Sequence, residues 1–88
     1  MMEVAFSTSF KKAFKRISRS KTLEKKFWSR VEIFIENPGD VRLKTHKLSG
    51  KLKDLWSFSV EYDVRVIFYF VDKSRVVFID IGTHNEVY

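Results

Sequence analysis

The sequence predicts an α+β fold in the order β-α-α-β-β-β: an antiparallel-dominated twisted sheet with an N-terminal helical hairpin packed on one face. Three observations predict it. Apolar residues recur at helical spacing through residues 8–35, alternation and a long apolar run take over between residues 55 and 81, and Asn37-Pro38-Gly39-Asp40 divides the two patterns. At 88 residues the chain has material for a single domain, residues 1–88, around one core.

Met2 to Phe6 is short and leans apolar, and it reads as a first strand. Ser7-Thr8-Ser9 then offers hydroxyl caps to a helix running from about Thr8 to Ser20. Phe10, Ala13, Phe14 and Ile17 form its seam, while Lys11, Lys12, Lys15, Arg16 and Arg19 take the opposite face. Thr22 is the expected cap of a second helix, whose stripe is Leu23, Phe27, Val31, Phe34 and Ile35. The short link at Ser20-Lys21 makes the two helices antiparallel neighbours. Pro38 cannot continue the second one, and Gly39 permits the turn that follows.

From Arg42 to Lys53 the chain carries five basic residues and no acid, with only Leu43, Leu48 and Leu52 as large apolar groups. This is a surface loop with a brief strand. Leu55 to Tyr62 alternates as a half-buried strand does. Val64 to Val71 is almost continuously apolar and reads as a central strand covered on both sides. Arg75 to Ile81 is the last strand, which Gly82 breaks. Short links at Asp63 and Asp72-Lys73-Ser74 make these three strands antiparallel.

Composition excludes several classes of function. Hydrophobic residues at 44% and charged ones at 32% suit a folded domain rather than a disordered one. With no Cys there is no disulfide framework, thiolate metal site or Cys nucleophile, and two His residues argue against a His-rich metal cage. No cofactor motif is present. No apolar run approaches the ~20 residues of a membrane span, and the N-terminus lacks a signal-peptide layout. The expectation is a cytoplasmic protein without a membrane partner.

The net charge is +6, and it is unevenly placed. Residues 1–53 hold fourteen basic and five acidic side chains, whereas residues 54–88 hold three and six. Such a lopsided surface attracts polyanions, nucleic acid foremost, although a merely solvated face has the same composition.

Two residues stand out against this background. Arg65 interrupts the apolar central strand, where an unpaired guanidinium is costly to bury. Either Glu61 or Asp63 pairs with it at the strand edge, or it points into a solvated concavity and holds an anion with its fork of donors. His84 lies beyond the last strand in Gly82-Thr83-His84-Asn85-Glu86-Val87-Tyr88, a polar tail that needs no core imidazole. An imidazole moves protons near neutral pH. Tyr88 either stacks on a base or seals the core edge. His46, Lys47, Lys51 and Lys53 in the basic loop form a track for a phosphate backbone. No Walker, GxSxG or metal-ligand spacing is present. An Arg, a His and Lys residues without a metal suit RNA cleavage by its own 2′-OH, in which the protein moves protons and stabilises charge on phosphorus.

The helical hairpin with its basic loop, His46-Lys47-Leu48-Ser49-Gly50, the strand pair from Ser57 to Phe68 and the ending Gly82 to Tyr88 together resemble the RelE/ParE toxin superfamily. The resemblance is strongest to its YafQ- and RelE-like branch of bacterial type II toxin–antitoxin systems, and it covers nearly the whole chain. It implies an mRNA interferase that enters the ribosomal A site, cleaves mRNA there without a metal, and is silenced by a cognate antitoxin. By position it implies His84 as general acid, Arg65 as the phosphate-holding group, and His46 or Asp63 as the group that removes the 2′-OH proton. Tyr88 falls near the substrate, and Lys47, Lys51 and Lys53 contact the backbone. Ser59 stands where YafQ-like members carry a second His, and RelE-like members end without one. ParE-like members of the same superfamily instead inhibit DNA gyrase without cleavage, and a non-catalytic basic binding module is a third possibility. The antitoxin is expected to cover the basic loop and the sheet face.

Overall fold

The computed structural model describes residues 1–52 and 54–88; Lys53 lies outside the described residues. Strand β1 (Glu3–Phe6) leads into helices α1 (Thr8–Ile17) and α2 (Lys21–Glu36). The short β2 (His46–Lys47) lies between two single 3₁₀ turns, Val41–Leu43 and Gly50–Leu52. β3 (Trp56–Glu61), β4 (Val64–Asp72) and β5 (Arg75–Thr83) follow, and α3 (His84–Val87) closes the chain. The sheet order is β1-β5-β4-β3-β2, with β1 parallel to β5 and every other pair antiparallel. The expected order holds, with the brief strand as β2 and a helical turn added at the end.

Both long helices begin on serines. Ser7 accepts from the Phe10 N–H at 3.0 Å and Ser20 from the Leu23 N–H at 3.1 Å. Ser20 rather than Thr22 is therefore the second cap, and α1 stops at Ile17 because the next residues form the turn that presents Ser20. The seams bury as the spacing requires: Phe10, Ala13 and Ile17 from α1, and Phe27, Val31 and Phe34 from α2. They meet Phe58, Val60, Val66, Phe68, Phe78 and Ile81 of the sheet in one hydrophobic cluster. Phe78 is its hub, with ring centroids of Phe34, Phe58 and Phe10 at 5.5, 5.5 and 5.6 Å. Each fully buried Phe contributes roughly 1.5–3 kcal/mol, so this one layer anchors both helices while the basic face of α1 stays in water.

The strand patterns differ from expectation in two places. β4 is covered on both sides only through Phe68; from Tyr69 to Asp72 it extends into solvent, and Val71 is half exposed. β3, read as half-buried, is covered on its polar side too, with Ser57 fully buried and Ser59 nearly so. Over Ser57 the cover comes from the C-terminal tail. No described helix is long and apolar enough to cross a membrane.

Candidate active site on the open face of the sheet

Directly paired residues of neighbouring strands project to the same side of a sheet. Two cross-strand rows therefore define the face turned away from the helices. One is His46, Ser57, Ile67 and Asp80; the other is Ser59, Arg65 and Gly82. The expected site residues Arg65 and His46 thus share a face, and the tail brings two more to it.

Gly82 does not break the last strand. It lies inside β5 opposite Arg65, and β5 continues to Thr83. Its missing side chain has another use: a Cβ there would stand 2.7 Å from Glu86 Oε1. Glu86 occupies that space because its carboxylate accepts from the Thr83 N–H at 2.7 Å, while the Thr83 hydroxyl accepts from the Glu86 N–H at 3.3 Å. This capping box starts α3 and folds the tail back over the sheet. The Thr83 N–H holds the Glu86 carboxyl below its ordinary pKa, with a further contribution from Arg16, whose guanidinium lies 3.5 Å away.

The helical turn sets His84 and Tyr88 four residues apart on one side, with ring centroids 4.4 Å apart at 85°. The Tyr88 hydroxyl donates to Ser57 Oγ at 2.7 Å. Because α3 starts at the end of β5 and Tyr88 reaches β3, the tail crosses β4, where Ile67 is 2% exposed. Tyr88 both seals the sheet and keeps 41% of its surface open. The His84 ring stands on this lid, exposed.

Arg65 pairs with neither Glu61 nor Asp63. Its Nη1 donates to the main-chain carbonyls of Glu61 and Tyr62 at 2.9 and 2.8 Å, bracing the β3–β4 turn. A guanidinium has five N–H donors, so its remaining edge is available to an anion. Asp63 sits exposed in that turn. On β2, the His46 Nδ1–H donates to the Lys44 carbonyl at 3.0 Å. A carbonyl only accepts, so the neutral ring carries its proton on Nδ1 and presents a bare Nε2. Lys47 pairs with Trp56, whose partner Phe68 belongs to the core, so Lys47 projects toward the helix side of the edge. Lys51 is exposed in the second 3₁₀ turn. Among the described residues no group of three or more His, Asp or Glu could hold a metal ion.

The sequence reading missed Ser57, Glu86 and Arg30. Ser57 alternates with large apolar residues as any solvent-facing serine would. Glu86 carried one signal, its position three residues after Thr83, the spacing of a capping box. Arg30 lies beside the apolar stripe of α2, where an ordinary solvated cation would, yet its Nε reaches the Val60 carbonyl at 3.3 Å.

Solved structures share this architecture. YafQ from E. coli strain BL21(DE3) matches with a TM-score of 0.83 at 21% identity, over 100% of this chain and 99% of that one. The E. coli DinJ–YafQ complex gives 0.74 at 21%, over 100% and 99%. The YoeB/ParE toxin from Agrobacterium tumefaciens gives 0.77 at 16%, over 94% and 99%. The fold is that of the small RelE-like toxins of bacterial type II toxin–antitoxin systems. More narrowly, the chain belongs to the YafQ family, whose model, a bacterial toxin of a type II toxin–antitoxin system, matches residues 2–88. No curated protein sequence matches it.

Proposed function

We propose that this toxin is a ribosome-dependent endoribonuclease that cleaves mRNA in the A site by 2′-OH attack, without a metal. The observation that supports the reading is that Arg65 and His46 share one face of the sheet, over which the tail lays Tyr88 with the His84 ring against it. The 2′-oxygen attacks phosphorus, the bond to the 5′-oxygen breaks, and the products are a 2′,3′-cyclic phosphate and a 5′-hydroxyl. Two proton transfers and one charge need handling. His84, in its protonated form, gives a proton to the departing 5′-oxygen. Arg65, already fixed by two carbonyls, turns its free edge to the phosphate oxygens, where charge grows. The bare Nε2 of His46 suits removal of the 2′-OH proton better than Asp63, which stands out in the turn. Tyr88 offers the open side of its ring to a base. Lys51 and Lys53 meet flanking phosphates, whereas Lys47, turned toward the helix side, does not face the RNA.

A second part of the reading is that a cognate antitoxin silences the toxin by covering this face and loop; the E. coli DinJ–YafQ toxin–antitoxin complex supports the existence of such a partner. Ribosomes programmed with mRNA in a translation extract provide the test. The wild-type chain is expected to yield A-site fragments and arrest protein synthesis. DNA breaks without mRNA fragments would instead assign it to the gyrase inhibitors.

A further inference from the structure

A second cationic feature lies beside the open face, at the free edge of β3. β2 pairs with that strand only at Trp56 and Ser57. Past them a cleft of about 200 Å³ is lined by Arg30, Arg42, Lys44 and Arg65 together with Ser59 and Glu61. These four cations come from α2, the first 3₁₀ turn, its following residue and β4.

Their counter-ions are unevenly shared. Arg42 is taken by Asp40, which accepts from its Nε at 3.0 Å and its Nη2 at 2.9 Å. Glu61 lies 3.7 Å from the Lys26 ammonium. Among the described residues, Arg30, Lys44 and Arg65 form no ion pair. Arg30 and Arg65 are instead held by backbone carbonyls, Val60 for one and Glu61 and Tyr62 for the other. Carbonyl anchoring fixes a guanidinium without neutralising it, so its remaining donors stay aimed at a charge that the fold does not supply. With the free edge of Arg65 given to the scissile phosphate at the border of the cleft, the Arg30 fork and the Lys44 ammonium around one small concavity match the tetrahedral oxygens of a neighbouring phosphate.

We propose that this cleft binds a non-scissile phosphodiester of the RNA strand lying on the open face. The inference rests on the nuclease reading and extends it. Arg65 borders both the face and the cleft, so a continuous polyanion crossing the face runs on into the cleft, which favours RNA over a separate acidic peptide.

The probe is a fluorescent, fully 2′-O-methylated twelve-nucleotide RNA, which cannot be cleaved, titrated by anisotropy at several salt concentrations. Lys44→Asn suits a backbone with φ of 53°, which Asn tolerates, and Arg30→Gln removes the second fork. Each variant is expected to bind several-fold more weakly and to flatten the log K against log salt slope by about 0.7, the loss of one single-strand phosphate contact. An unchanged slope in the Lys44→Asn protein overturns the proposal. So does an unchanged RNA affinity beside weakened antitoxin binding, which would assign the cleft to that partner. The nuclease reading is judged separately: wild-type cleavage with an unchanged slope removes only the cleft, and a lowered slope without cleavage removes only the chemistry.

Discussion

The Tyr88 hydroxyl, four residues beyond His84, is tied to Ser57 of β3 by a 2.7 Å hydrogen bond that crosses the neighbouring strand. Ser57 is fully buried beneath it, so the bond is both an anchor for the tail and the only described partner of a buried hydroxyl. The same serine stands directly opposite His46. One contact therefore fixes the spacing between the imidazole at the chain's end and the one on the edge strand.

Tyr88→Phe is expected to destabilise the fold by about 1–3 kcal/mol, because it leaves the Ser57 hydroxyl buried and unpaired. Adding Ser57→Ala removes the orphaned group, so the double variant is expected to be more stable than the sum of the singles implies. Urea denaturation of the four proteins measures this. Strict additivity would mean that the two hydroxyls do not act as a pair.

Gly82→Ala places a methyl group where the Glu86 carboxylate now sits. The expected result is a broken capping box, a frayed α3 and a loss of about 1 kcal/mol, with nuclease activity falling alongside. Glu86→Ala in the same chain removes the carboxylate but leaves the Cβ at position 86 only 3.2 Å from the added methyl group. The further loss beyond Glu86→Ala alone is therefore expected to be smaller than Gly82→Ala causes by itself, but not zero. A Gly82→Ala protein that melts like the wild type would show that the tail does not depend on this close approach.

Acid stability follows from two exposed pairs. The Arg75 side chain, aided by the Ser74 N–H, lowers Asp72 to a pKa of about 2, and Arg42 does the same for Asp40. Each carboxylate is easier to ionise in the folded chain than in the unfolded one, whose pKa is near 3.8. Their contribution is therefore complete above pH about 4 and disappears as pH falls toward 2. Urea midpoints between pH 5 and 2 are expected to drop, and Asp72→Asn is expected to make the drop shallower. Both pairs lie at the surface, so about 1 M salt weakens the effect. A midpoint that is flat over this window contradicts it.

Much of the architecture was legible because it rests on periodicity. The Phe10–Ile17 and Phe27–Phe34 seams and the apolar run through Phe68 sit where their spacing puts them. The site was legible in its residue types, since a lone Arg in a strand and a His in a polar tail have few structural uses. What the pattern concealed depends on contacts between distant positions. Gly82 looks like a strand breaker until Glu86 folds over it. Ser57 looks solvated until Tyr88 arrives from 31 residues away. Arg30 becomes part of a cleft only once α2 is laid along β3. Arg65 has carboxylates nearby in sequence, yet the tight turn offers it carbonyls at closer range.

The joint action of His84 and Arg65 on one phosphodiester is tested most directly by mRNA cleavage on programmed ribosomes, with the fragment ends identified. The wild-type chain is expected to leave 2′,3′-cyclic phosphate and 5′-hydroxyl ends. His84→Ala and Arg65→Ala are each expected to slow the cut by roughly 10²-fold or more, as loss of a positioned acid or charge-stabilising group does, while the His84→Ala protein keeps its melting temperature. Undiminished cutting by folded His84→Ala protein would contradict the account.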